Sequence, residues 1–138
     1  MCLHESGETW AERQRRDEAL AAVHLTDRLV DLTRSESRRL TGRLGPYPAW
    51  SDLSAAGARL GRMDGGAMGR LARKVQWGNR EPLPGWQVHY VAGDEGYAVS
   101  LTDTRDACGW TYFGDERGIV AEGYPMDAPV GVVPVDSQ

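Results

Sequence analysis

The chain has 138 residues, 41% of them apolar, with five Trp, five Tyr and a formal charge of −4. That is the size and composition of one folded domain, and it is too apolar for a wholly disordered chain. No apolar run reaches the ~18 residues that span a bilayer, and the opening MCLHESGETW lacks the charged and apolar stretches of a secretory signal, so a cytoplasmic protein without a membrane partner is expected.

The modest net charge conceals strong asymmetry along the chain. Residues 53–80 carry Arg59, Arg62, Arg70, Arg73, Lys74 and Arg80 against the single acid Asp64, whereas residues 81–138 carry ten acids against two arginines. Such polarity points to an acidic partner or to self-association. Arg supplies fifteen of the sixteen basic residues, a usage that suits a high-GC bacterial or phage genome. Cys2 and Cys108 form neither a disulfide framework nor a C-x-x-C pair, which fits a reducing compartment.

Residues 9 to about 44 contain no Pro, and Ala22, Leu25, Leu29 and Leu32 recur at spacings of three and four, followed by Leu40 and Leu44. This predicts a long amphipathic helix within residues 1–45. Ser6 or Thr9 caps it, Glu12 completes a capping box with Thr9, and Gly42 with Gly45-Pro46 ends it. After the stiff Pro46-Tyr47-Pro48 connector, residues 51–78 read as a basic helical pair. Ser51 or Ser54 caps the first member, which runs through Leu60 with Leu53, Ala56 and Leu60 on one side. Asp64-Gly65-Gly66 breaks it, and a third helix from Ala67 to about Trp77 places Met68, Leu71, Ala72 and Val75 inward and Arg70, Arg73 and Lys74 outward.

From Trp86 the period changes to two, and turns at Gly93-Asp94-Glu95-Gly96 and Asp115-Glu116-Arg117-Gly118 divide residues 86–124 into a four-stranded antiparallel meander. Residues 125–138, with Pro125, Pro129 and Pro134, are expected as an extended tail. The whole is read as a single α+β domain. Trp86, Tyr90, Tyr97, Trp110 and Tyr112 fall on one sheet face, which is read first as the core face under the helices. As an alternative it is a binding platform, in which Trp86 and Tyr90 join Arg59 and Arg62 as the expected partner contacts.

The order of two short helices, a Gly-containing turn and a hairpin is similar to that of winged-helix regulators. The resemblance implies a recognition helix at Ala67–Trp77, nucleic-acid contacts at Arg70, Arg73, Lys74 and Arg80, and a wing at Trp86–Thr102. That wing holds no Lys or Arg and carries Asp94 and Glu95 at its tip, where a phosphate backbone is repelled. His4, His24 and His89 show no ligand spacing, His24 is read as a surface hydrogen-bonding group, and Cys108 as a buried thiol in a strand. His89 is the one candidate for proton transfer, in a third reading as a small enzyme with a pocket on the sheet. No G-x-S-x-G, Walker or dinucleotide motif occurs, and no cofactor or metal is implied. The leading expectation is a non-catalytic protein-interaction protein of bacterial or phage type, with a protein partner or a second copy. DNA binding is the alternative.

Overall fold

The computed structural model describes residues 9–106, 108–124 and, as backbone of a short strand, 133–135. Three helices precede the sheet: α1 (Trp10–Thr41), α2 (Trp50–Met63) and α3 (Ala67–Lys74). Strands β1 (Trp86–Ala92), β2 (Tyr97–Asp103), β3 (Thr111–Asp115) and β4 (Val120–Gly123) follow as an antiparallel meander. The α+β expectation holds. It needs one addition, because within the expected tail β5 (Val133–Val135) pairs antiparallel with β4 and makes the sheet five-stranded. No helix among the described residues is long and apolar enough to cross a membrane.

Helix α1 begins as its sequence dictates. Thr9 Oγ1 accepts from the Glu12 amide at 3.2 Å, and Glu12 Oε2 accepts from the Thr9 amide at 3.3 Å, so two orphan donors of the first turn are satisfied. Gly42 ends the helix in the left-handed conformation, at φ 79°, which costs glycine nothing. Helix α2 starts at Trp50, ahead of both expected serine caps. There the Asp52 carboxylate accepts from the Ala49 amide at 3.1 Å, which orders the entry without a capping side chain on Ala49. Helix α3 stops three residues before Trp77. Val75 turns to an extended conformation and the Trp77 ring enters the core, where it lies against Trp50 and against the bare Cα of Gly57. A Cβ at Gly57 would sit 2.5 Å from the indole nitrogen, so the burial of Trp77 depends on that glycine.

The core lies between the helices and one sheet face. Leu25, Leu29 and Val23 of α1, Leu53 of α2, Ala72 and Val75 of α3, and Trp86, Val99, Leu101 and Tyr112 of the sheet form one cluster. Register places Val88 opposite Leu101, Tyr90 opposite Val99, and Leu101 opposite Tyr112 on this face. The opposite face carries His89, Ser100, Phe113 and Ala121 in one row across β1 to β4.

Two successive arginines tie α1 to one end of the sheet. Arg15 donates to both oxygens of Asp103, at 3.1 and 3.3 Å, and its guanidinium carbon lies 5.4 Å from the centre of the Trp86 ring. Asp103 is only 4% exposed, and its Oδ1 also accepts from the Arg105 amide at 2.9 Å. Arg16 reaches Asp106 at 3.4 Å and covers the Trp110 ring at 4.7 Å. From this anchor α1 crosses the sheet and passes the β3–β4 turn, where Gly118 approaches Asp27.

The 32 residues of α1 make a helix about 48 Å long, whereas a seven-residue strand spans only about 23 Å. The helix therefore outruns the sheet. Its last buried residue is Val30, and between Asp31 and Thr41 no residue is fully buried. The apolar period continues into this stretch, yet Leu32, Leu40 and Leu44 are exposed.

Replacing Asp103 with Ala leaves the Arg15 guanidinium without its carboxylate and opens the β2–β3 loop. Urea unfolding is expected to show a loss of about 2–3 kcal/mol, whereas Arg39→Ala, which breaks an exposed pair with Glu36, leaves the midpoint unmoved.

Candidate interaction surface

The charged and aromatic side chains singled out by the sequence separate into those the fold consumes and those it presents. Trp86 is 2% exposed and lies under Arg15 beside Tyr112, so it offers no surface to a partner. Tyr90 is half-buried. Its hydroxyl donates to the Pro48 carbonyl at 2.6 Å, its ring touches Trp50 and Tyr97, and burial with the nearby Asp52 charge pushes its pKa up to about 12. The aromatic face is therefore core rather than an open platform.

The basic set divides in the same way. The Arg73 guanidinium donates to the carbonyls of Gly61 and Asp64, across the close α2–α3 junction that Gly69 permits. Lys74 pairs with Glu18 of α1 at 2.7 Å. Both side chains bind the helices to one another. Arg70 and Arg80 are exposed, and among the described residues no side-chain partner engages either. A broad concavity of about 810 Å³ joins Arg73 and Arg80 with Ser54, Gln76 and Asn79, next to the edge of Trp77.

On the outer sheet face a shallow trough of about 390 Å³ holds His89, Ser100, Phe113, Asp115 and Arg117. His89 stands directly opposite Ser100 in the β1–β2 register. No hydrogen bond among the described residues joins His89 to Ser100 or to Asp115. The Asp115 carboxylate accepts from the Arg117 side chain at 2.9 Å and from its amide at 3.0 Å, and these bonds hold it below the usual carboxylate range. Cys108 is fully buried, as expected, although it sits in the loop before β3 rather than in a strand. Cys2 and His4 lie outside the described residues. No group of three or more His, Cys, Asp or Glu side chains among the described residues is placed to hold a metal ion.

A third concavity, of about 260 Å³, runs between α1 and α2 where α1 has left the sheet. Leu32, Ala56, Leu60 and Met63 give it an apolar lining, to which Arg28, Arg59 and Glu36 add charge. Met63 is 78% exposed and Leu32 43%, so large apolar side chains on both helices face water. Arg59 approaches Glu36 at 3.9 Å, while Glu36 makes its short bond, 2.6 Å, to Arg39. The hydrogen bond and charge of Arg39 lower the Glu36 pKa, so the one acid of the lining stays ionised and neutralised. Arg62, one turn from Arg59 on α2, is exposed and unpaired among the described residues. Of the four partner contacts expected from sequence, Arg59 and Arg62 lie at or beside this groove and the two aromatics do not. Leu32 and Met63 were the missed residues. Their only signal was an apolar period that runs on past the length a small sheet can cover.

No family model, curated protein or solved structure matches this chain.

A half-buried carboxyl on α1 facing the β3–β4 turn has a measurable consequence. Asp27 is half-buried on α1, and its pKa is raised to about 6, first by desolvation and then by Asp31, Asp115 and Glu116. His24, one turn earlier, was expected to make a surface hydrogen bond. Its Nε2 is instead buried without a hydrogen-bond partner among the described residues, and burial lowers its pKa. A carboxyl whose folded pKa exceeds its unfolded value near 3.8 binds its proton more tightly in the native state, so stability falls as pH rises from about 4 through 6. Asp27→Asn removes that penalty: the variant is expected to melt above the wild type at pH 7.5 and to converge with it near pH 4 in paired thermal scans.

Proposed function

We propose that the chain is a non-catalytic protein-interaction module of bacterial or phage type, an accessory, structural or inhibitor component, and that it binds its partner through the α1–α2 end. One observation carries the reading: an apolar groove bordered by Arg28, Arg59 and Glu36 occupies a stretch of α1 that the fold leaves off the sheet. A helix needs burial of an apolar face to be stable in water, and propensity alone sustains few turns. Here the apolar face continues over Leu32 and meets Leu60 and Met63 from α2, yet among the described residues nothing covers it. Exposed apolar carbon bordered by charge is the usual composition of a protein-binding surface.

The winged-helix reading has narrower support. Of its four nucleic-acid contacts, Arg73 and Lys74 are engaged within the helical layer, and Arg70 and Arg80 remain. The acids at the β1–β2 tip stand where a wing would meet phosphate. The trough on the sheet holds His89 without a base or nucleophile bonded to it, so the enzyme reading rests on proximity alone.

The test is co-purification of the tagged full chain from the cells that encode it, alongside a Leu32→Gln/Met63→Gln variant and an Arg70→Ala/Arg80→Ala variant. A discrete protein in near-stoichiometric amount with the wild type and with the arginine variant, but absent from the groove variant, is the expected result. Retention by the groove variant would move the interface elsewhere, and recovery of nothing with a monomeric mass by light scattering would end the reading.

A further inference from the structure

We propose that the α1–α2 groove receives an acidic amphipathic helix of a partner protein, with aliphatic side chains of that helix seated on Leu32, Leu60 and Met63 and its carboxylates on Arg28, Arg59 and Arg62. The inference rests on the reading of this end as an interface and adds what the interface selects.

Backbone chemistry decides the shape of the occupant. Both walls of the groove are helices whose mid-helix amides and carbonyls bond within their own turns. Outside the last turn of α2 the walls therefore present side chains rather than free backbone groups. A strand laid between them would leave its amides and carbonyls on one side unpaired against apolar carbon, at a cost of about 1–3 kcal/mol for each buried group. A helix arrives with its backbone already satisfied, which is the helix-in-groove mode of recognition. The volume, about 260 Å³, falls below the roughly 300–1,000 Å³ of small-molecule sites and suits a few protruding side chains instead. Met63, unbranched and 78% exposed, adapts its shape to whichever aliphatic group enters.

Charge decides the sign. At the groove Arg28 and Arg59 belong to the lining and Arg62 stands one turn from Arg59, while Glu36 is the one acid of the lining. Glu36 is already spent on Arg39. The surplus is positive, and it disfavours a second copy docking through the same surface, because two such surfaces would face one another with like charge. An acidic helix meets it with opposite charge, and the 3.9 Å Arg59–Glu36 approach is loose enough for Arg59 to turn to an incoming carboxylate.

The probe is a fluorescein-labelled 20-residue peptide with leucines at i, i+3, i+4 and i+7 on one face and glutamates elsewhere, titrated with the full chain and followed by anisotropy. Alongside it run a scrambled peptide of the same composition, a lysine-for-glutamate peptide and a labelled 20-base-pair DNA. The patterned acidic peptide is expected to bind with a Kd on the order of 10 μM. It should weaken at least about tenfold with the scrambled order, with Leu32→Gln/Met63→Gln and with Arg59→Glu/Arg62→Glu, and the last variant should gain affinity for the lysine peptide. Circular dichroism of each variant confirms that the fold is kept.

Equal binding of the scrambled peptide would reduce the effect to charge alone and overturn the proposal, as would no binding of the patterned peptide. Tighter binding of the DNA, lost in the arginine variant, would overturn it in favour of nucleic acid. A dimer by light scattering that the groove variant dissolves would overturn it in favour of a second copy. Should the groove variant lose its co-purifying protein while the peptide fails to bind, the interface stands and only the acidic-helix occupant falls.

Discussion

The joint between Arg15 and Asp103 sets where α1 lies on the sheet, and the rest of the architecture depends on it. A carboxylate removed from water is costly unless its lone pairs are filled, and Asp103 fills them with a two-pronged guanidinium and a backbone amide. The Trp86 ring covers the pair, and Arg16 with Asp106 and Trp110 repeats the arrangement one residue on. With α1 fixed at the β2–β3 end, its apolar stripe meets the sheet from Ala19 to Val30 and then runs out of strand to cover. The overhang is a matter of length, since the helix is about twice as long as the strands. Helix α2 packs beside the overhang, and the groove between them follows.

Charge polarity along the chain has two separate fates in the folded molecule. Part of it is consumed between layers: Lys74 neutralises Glu18, and the early arginines of α1 neutralise the acids of the β2–β3 loop. What remains is unequal. Burial, then Asp31 and the acids at the β3–β4 turn, raise the Asp27 pKa, whereas Arg28 and Arg59 border the groove. Helix-terminal arginines also favour the negative end of the α1 dipole, so part of this basic character serves the helix itself. Arg59 and Arg62 stand in the middle and last turns of a different helix. The dipole of α2 favours Arg62 in its last turn but not Arg59 in its middle.

Local chemistry was legible in the sequence, and long-range closure was not. The Thr9–Glu12 box, the Gly42 stop, the Gly93–Gly96 hairpin turn and the alternation of Trp86, Val88 and Tyr90 each follow from short-range rules, and the structure shows each of them. The end of α3 was misjudged because the Trp77 ring is drawn into a slot at Gly57, and such tertiary burial overrides helical period. Arg15 and Asp103 stand 88 residues apart, and no short-range rule joins them. Period reveals which face of a helix is apolar but not whether anything lies against it. For that reason Leu32 read as one more member of the apolar stripe although the structure exposes it, whereas Trp86, read first as core and alternatively as a contact, is buried.

The central claim is that the groove is apolar for the sake of a partner and not of the fold. The direct measurement is the unfolding free energy of Leu32→Gln/Met63→Gln against wild type by urea titration at equal ionic strength. Residues that face water contribute little to folding, so the account predicts agreement within about 0.5 kcal/mol. A loss beyond about 2 kcal/mol, with the slope unchanged, would place both side chains in a core and contradict it.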